Sequence, residues 1–149
     1  MNKRAVVTGA TKGLGLAIAH QLAAAGYDVL IGGRNLPELE STVTALNQQY
    51  PGTCASYAQA DLSNKAEVFS FAQSVLAEGQ VVDVLVNNAG IYHPGDVTTE
   101  EDGRLEKLIE TNLYSAYHLT RQLLPAIKNS RSGHIFNMCS IASLAAYPG

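Results

Sequence analysis

Short β-branched runs alternate along this chain with longer stretches of helical period. Arg4–Thr8, Val29–Ile31, Cys54–Ala58, Val82–Val86 and His134–Met138 read as strands. Between them, Leu14, Ile18 and Leu22 with Ala17 and Ala25 share one helical face, and Leu36, Leu39, Val43 and Leu46 share another. A third helix is predicted after Asn64, where the side chain can cap while Glu67 reaches back, with Val68, Phe71, Ala72, Val75 and Leu76 as its apolar face. A fourth is predicted to open at Thr98, in a T-x-x-E box with Glu101. Leu105, Leu108, Ile109, Asn112 and Ala116 then fall on one face as the helix runs towards Leu124. Strands that are almost wholly apolar, alternating with amphipathic helices, predict a parallel sheet covered on both sides: a doubly wound α/β fold.

Length and composition narrow this picture. At 149 residues the chain fits one domain, 1–149, with no repeat, linker or low-complexity tract. It is 46% hydrophobic and 15% charged, against roughly 25% charged in ordinary soluble domains, which excludes disorder and predicts a sizeable core. A net charge of −3 is the wrong sign for tracking nucleic-acid phosphates. Gly32, Gly33, Asp83 and Asn87 interrupt the apolar windows, so no membrane-spanning segment is expected. Cys54 and Cys139 sit in runs that read as strands without metal-ligand spacing, which predicts reduced core thiols in a cytoplasmic protein and no metal site.

In doubly wound sheets ligands bind beyond the carboxyl ends of the strands, and the chemistry-bearing residues cluster there. After the first strand comes Thr8-Gly9-Ala10-Thr11-Lys12-Gly13-Leu14-Gly15. Gly9 suits a tight turn, Gly13 a close approach of phosphate to backbone, and Gly15 a helix packed close to the sheet. The helix start then offers amides and a positive dipole end to a pyrophosphate. The second strand ends in Gly32-Gly33-Arg34-Asn35, with no carboxylate for ribose hydroxyls. Arg34 instead offers a planar cation to a ribose 2′-phosphate, joined by Lys12 from the glycine loop; the pair favours NADPH. Asp61 and Leu62 follow the third strand, where the carboxylate can accept from an adenine amino group or simply close a turn. Asn87-Asn88-Ala89-Gly90 follows the fourth; Asn87 can tie neighbouring strands together, and the small residues can let a flat ligand lie on backbone.

Together these segments resemble the short-chain dehydrogenase/reductase family, in its NADP-using branch. The resemblance rests on Thr8–Gly15, the basic pair Lys12 and Arg34, Asp61-Leu62 and the N-N-A-G motif at 87–90, and it covers the whole chain. It implies a Rossmann-type sheet with five strands here, in the order 3-2-1-4-5. NADP(H) would be bound by Gly9, Thr11, Lys12, Gly13, Leu14, Gly15, Arg34, Asp61, Leu62, Asn88, Ala89 and Gly90. It also implies hydride transfer between the nicotinamide and a small carbonyl or alcohol substrate. Ser140 would hold the substrate oxygen, and Asn112 a water that relays protons. Homo-oligomers, with no nucleic-acid or membrane partner, are implied as well. Tyr92 and His93 stand where substrate can touch them.

The resemblance also exposes a gap. The family's proton donor is the tyrosine of a Y-x-x-x-K pair, which does not occur in these 149 residues. Tyr147 is followed by Pro148-Gly149, a loop rather than a helix that could carry a lysine one turn on. Two expectations therefore stand side by side: a reductase whose remaining residues lie elsewhere in a longer protein, or a non-catalytic NADP-binding fragment or regulator.

Overall fold

The computed structural model describes residues 2–144. In chain order the elements are β1 (Lys3–Thr8), α1 (Gly13–Ala24), β2 (Tyr27–Gly33), α2 (Leu36–Gln49), β3 (Ala55–Gln59), α3 (Lys65–Ala77) and β4 (Val84–Asn87). Then come α4 (Arg104–Ile109), a π-helical turn (Glu110–Tyr114), α5 (Ser115–Lys128), β5 (His134–Asn137) and a 3₁₀ turn (Ile141–Ser143). The strands form one parallel sheet in the order β3-β2-β1-β4-β5, as the resemblance implied. Chain order reverses between β1 and β4, so the crevice beyond their carboxyl ends is the topological switch point.

Successive strand residues point to opposite faces, and each face has its own core. Val6, Leu30 and Leu85 pack with α3 and α5 residues such as Val68, Phe71, Leu119 and Leu123. Val7, Ile31, Val84 and Val86 pack with α1 and α2 residues such as Ala19, Ala23, Leu39 and Leu46. Burial on both faces is why the strands read as continuous apolar runs.

Several sequence expectations need correction. The buried line of α1 is Gly15, Ala19 and Ala23, not the larger residues: Leu14 is 68% exposed, and Ile18 and Leu22 flank the contact. Small residues let this helix approach the sheet, and the larger ones fill its margins. Thr98 caps no helix. Its N–H and Oγ1 both donate to Asp96 Oδ1, at 2.8 Å each, closing an Asx-type turn that competes with helix nucleation. The helix begins instead at Arg104, behind Gly103, whose φ of +83° suits glycine.

The face drawn through Leu105, Ile109 and Asn112 is also not the buried one. The inward line runs from half-buried Arg104 and Leu108 to Thr111, Ser115, Leu119 and Leu123, so of the expected face only Leu108 and Ala116 are partly buried. The α2 and α3 faces lie where the periodicity put them, although Leu36 stands at the edge of its face, over a third exposed. The cysteines are not core thiols: Cys54 precedes β3, Cys139 follows β5, and both are exposed and free. Among the described residues no helix is long and apolar enough to cross a membrane.

Candidate functional site

A cavity of about 430 Å³ opens beyond the carboxyl ends of the strands. Its walls include Gly9, Thr11, Lys12, Leu14, Gly15, Arg34, Asp61, Leu62, Asn88, Ala89 and Gly90, so eleven of the twelve residues read as cofactor-binding surround one space. The twelfth, Gly13, adjoins them at the start of α1 with φ +57°, and a Cβ there would meet nothing within 4 Å. Gly33, Asn35, Glu38, Ala60, Ile91 and Thr111 complete the wall and were not singled out from sequence.

Thr8 and Asn88 hold the loops after β1 and β4 together. The buried Thr8 hydroxyl donates to Val86 O (3.3 Å) and accepts from the Asn88 and Ala89 amides (3.0 and 2.9 Å). Asn88 Nδ2 donates to the Thr8 and Gly9 carbonyls, at 2.9 and 3.0 Å. A Cβ on Gly15 would collide with Asn88 Nδ2 and Gly9 O, so its glycine serves a close approach to this lattice more than to the sheet itself. Gly9 takes φ +63° to turn off β1, and its amide donates to Gly32 O at 2.8 Å. Thr8 carried no sequence signal beyond its place before the glycines; its role follows from the β1–β4 neighbourhood, which the order of residues along the chain does not display.

The start of α1 faces this cavity with donors unclaimed by side chains. Lys12, at the N-cap, is extended (φ −157°) and makes no side-chain cap, and the first turn contains no acidic residue. The helix's positive end is therefore left for an outside anion. Lys12 and Arg34 add positive charge to the cavity wall, and among the described residues neither belongs to an ion pair; the pairs present are Arg4–Glu78 and Arg104–Glu101. Gln59 Nε2 donates to Arg34 O at 2.9 Å, fixing the backbone from which the guanidinium extends. An uncapped helix start, an open left-handed glycine and two unpaired cations fit a phosphate-bearing dinucleotide.

Asp61 closes a turn, accepting from Ser63 N (3.0 Å) and Ser63 Oγ (2.8 Å) through Oδ1. Burial acts to raise its pKa, but the two Ser63 hydrogen bonds and the charges of Arg34 and Lys107 outweigh it and hold the carboxyl below its ordinary value. Glu67 reaches past Asn64 to accept from the Asp61 amide at 2.7 Å, while Asn64 Oδ1 caps α3 through the Ala66 and Glu67 amides. Leu62 also borders a second, smaller cavity of about 250 Å³, against Lys65, Glu110, Tyr114 and His118.

The two residues expected to act in chemistry lie outside the cavity wall. Asn112, in the π turn, is occupied with backbone: Nδ2 donates to Ile91 O (2.9 Å) and Oδ1 accepts from Ile91 N (2.8 Å). Its side chain thus fixes the loop after the N-N-A-G motif, directly beyond Gly90. Ser140 caps the 3₁₀ turn, its Oγ accepting from Ala142 N at 3.2 Å. Asn87 ties strands as expected, Nδ2 donating to Asn137 Oδ1 (2.8 Å) and Thr120 Oγ1 (3.0 Å), which secures the β4–β5 ends beneath Ser140. Tyr92 and His93 are exposed on the loop that Asn112 holds. Tyr147 lies outside the described residues.

Fold and strand order are those of a Rossmann-type α/β protein. The short chain dehydrogenase family model matches residues 3–149, and the chain belongs to that family. It is 35% identical over 144 residues to D-beta-hydroxybutyrate dehydrogenase of Cupriavidus necator, covering 97% of this chain and 55% of the relative. It is 35% identical over 149 residues to 3-oxoacyl-[acyl-carrier-protein] reductase FabG of Chlamydia trachomatis, covering 100% of this chain and 60% of the relative. Among solved structures, the F189W actinorhodin polyketide ketoreductase with NADPH superposes with a TM-score of 0.89 at 31% identity, over 98% of this chain and 56% of that one. A metagenomic short-chain oxidoreductase in complex with NADP gives 0.81 at 36% identity, over 89% of this chain and 60% of that one. The chain therefore spans a little over half the length of the relatives it matches.

Proposed function

We propose that this chain forms the cofactor-binding part of an NADPH-dependent reductase that interconverts a small carbonyl compound and its alcohol. The observation that carries the reading is the pair Lys12 and Arg34, both in the wall of the cavity that the uncapped start of α1 borders and neither in an ion pair among the described residues. The first-turn amides of α1, behind Gly13, would take the pyrophosphate; Lys12 and Arg34 would take the ribose 2′-phosphate. Asp61 and Leu62 would border the adenine, and Asn88, Ala89 and Gly90 would carry the rest of the dinucleotide towards Ser140.

NADPH held in this cavity would supply a hydride to a carbonyl carbon. Ser140 would hold the carbonyl oxygen by a donated hydrogen bond as negative charge gathers on it; the bond that its Oγ accepts from Ala142 fixes the oxygen's position. Asn112 supports this by holding the Ile91 backbone that shapes the loop beyond Gly90, a positioning role beside the water-holding one expected from sequence. The proton that completes the alcohol belongs to a tyrosine–lysine pair, which the described residues do not include. The dehydrogenase and reductase names of the relatives favour this reading over a non-catalytic regulator. A small soluble substrate, cytoplasmic action and self-association complete it.

The test is nucleotide affinity. Arg34→Asp should lower the ratio of NADPH to NADH affinity by about a hundredfold, or about 3 kcal/mol for a charge-assisted contact removed and a repulsion added. An unchanged ratio by titration calorimetry would overturn the 2′-phosphate assignment.

A further inference from the structure

The cationic end of the cavity contains a carboxylate. Glu38, in the first turn of α2, lines the cavity together with Thr11, Lys12 and Arg34. Its backbone amide is capped by Asn35 Oδ1 at 3.3 Å, so the helix end is already served. The side chain reaches across to the glycine loop, where Oε2 accepts a hydrogen bond from Thr11 Oγ1 at 3.0 Å. Neither Arg34 nor Lys12 is within ion-pair distance of Glu38 among the described residues, so the acid shares their space without being neutralised by them.

Two cations alone would favour a doubly charged 2′-phosphate strongly over a hydroxyl. A carboxylate in the same space repels the phosphate and can accept a hydrogen bond from a free ribose 2′-hydroxyl. An acid that binds ribose hydroxyls is expected at the end of the second strand, where this chain has Arg34. Here the acid comes from the next helix, four residues on, and is held by a threonine of the glycine loop.

We infer that Glu38, oriented by Thr11, sets the cofactor preference of this site, accepting the 2′-hydroxyl of NADH and weakening the grip of Arg34 and Lys12 on the 2′-phosphate of NADPH, so that both nucleotides are bound. Thr11 is a positioning residue in this arrangement, and the inference rests on the assignment of Lys12 and Arg34 to the 2′-phosphate.

The experiment is titration of the protein expressed from its own gene with NADPH and with NADH, by calorimetry, in the parent, Glu38→Gln, Thr11→Val, Thr11→Ser and Arg34→Ala. Glu38→Gln should raise the NADPH-to-NADH affinity ratio about three- to tenfold, the size expected for one partly screened charge, with the gain shrinking as salt is added. Thr11→Val should move the ratio the same way by releasing the acid, and Thr11→Ser should restore the parent ratio. If Arg34→Ala lowers the ratio while Glu38→Gln leaves it unchanged, the 2′-phosphate assignment stands and the role of Glu38 is overturned. If neither variant changes the ratio, or the parent binds neither nucleotide, the assignment itself fails and the inference falls with it.

Discussion

The two sides of the sheet's switch point are built differently. On the β1–β2 side the strands are buried towards their carboxyl ends, the glycine loop is laced to Asn88, and α2 and α3 start at asparagine caps. On the β4–β5 side, β5 forms the outer strand with Phe136 51% exposed, α4 buries none of its residues, and Leu113, Tyr117, Met138 and Ile141 face outward. The glycine loop and Arg34, assigned to the nucleotide, therefore follow the more buried strands. Ser140, assigned to the substrate oxygen, follows β5, the more exposed strand among the described residues. The two assignments rest on regions of unequal burial, and the contrast can be tested one side at a time.

The largest effect should come from comparing truncations across the sheet. Leu85→Ala removes a fully buried β4 side chain and should cost about 2–5 kcal/mol in urea unfolding. Phe136→Ala, one strand over, should cost under about 1 kcal/mol, as for other half-exposed sites. Equal losses would mean that the outer side of β5 is covered in the intact protein, which would remove the contrast. A smaller, local effect is expected at Asn112. Asn112→Ala leaves the Ile91 N–H and C=O without their partners and should cost about 1–2 kcal/mol locally, read as about tenfold faster exchange of the Ile91 amide. Exchange at the buried β1 amides should hardly change, since the loop opens without the sheet.

The smallest effect concerns pH. The Asp61 carboxyl is held below its ordinary value in the folded chain, so its contribution to stability is complete above the unfolded-state pKa and is lost as pH falls through the lower folded value. Unfolding followed from about pH 6 down to about pH 3 should show a shallower acid-side decline in Asp61→Asn than in the parent. An identical decline would place the acid sensitivity elsewhere.

Sequence legibility followed the same divide. The residues of the cavity wall were largely legible, because their requirements are local: Gly9 and Gly13 take positive φ, Lys12 lies in the glycine loop and Arg34 directly follows β2. What escaped there was contact between segments, namely Thr8 with Asn88 and Thr11 with Glu38, which are neighbours only once β1, β2 and β4 are aligned. On the other side the periodicity misled. The Thr98 box yielded to an Asx-type turn at Asp96, and Leu105 and Ile109 are exposed while the buried line runs through Thr111 and Ser115. Exposed apolar residues drew the expected face, and the polar residues that are buried gave no apolar signal. Cys54 and Cys139 misled for a related reason, since each lies just outside the strand to which its apolar neighbours belong.

The central claim is that the cavity between the glycine loop, Arg34 and the N-N-A-G turn is where NADPH binds. It is tested most directly by titrating isotopically labelled protein with NADPH and following its backbone amide resonances. The account predicts that the largest shifts fall at Thr11–Gly15, Arg34 and Asn88–Gly90, with the amides of Gly13 and Leu14 moving most. Shifts confined to the second cavity around Lys65 and His118, or no saturable shifts at all, would contradict it.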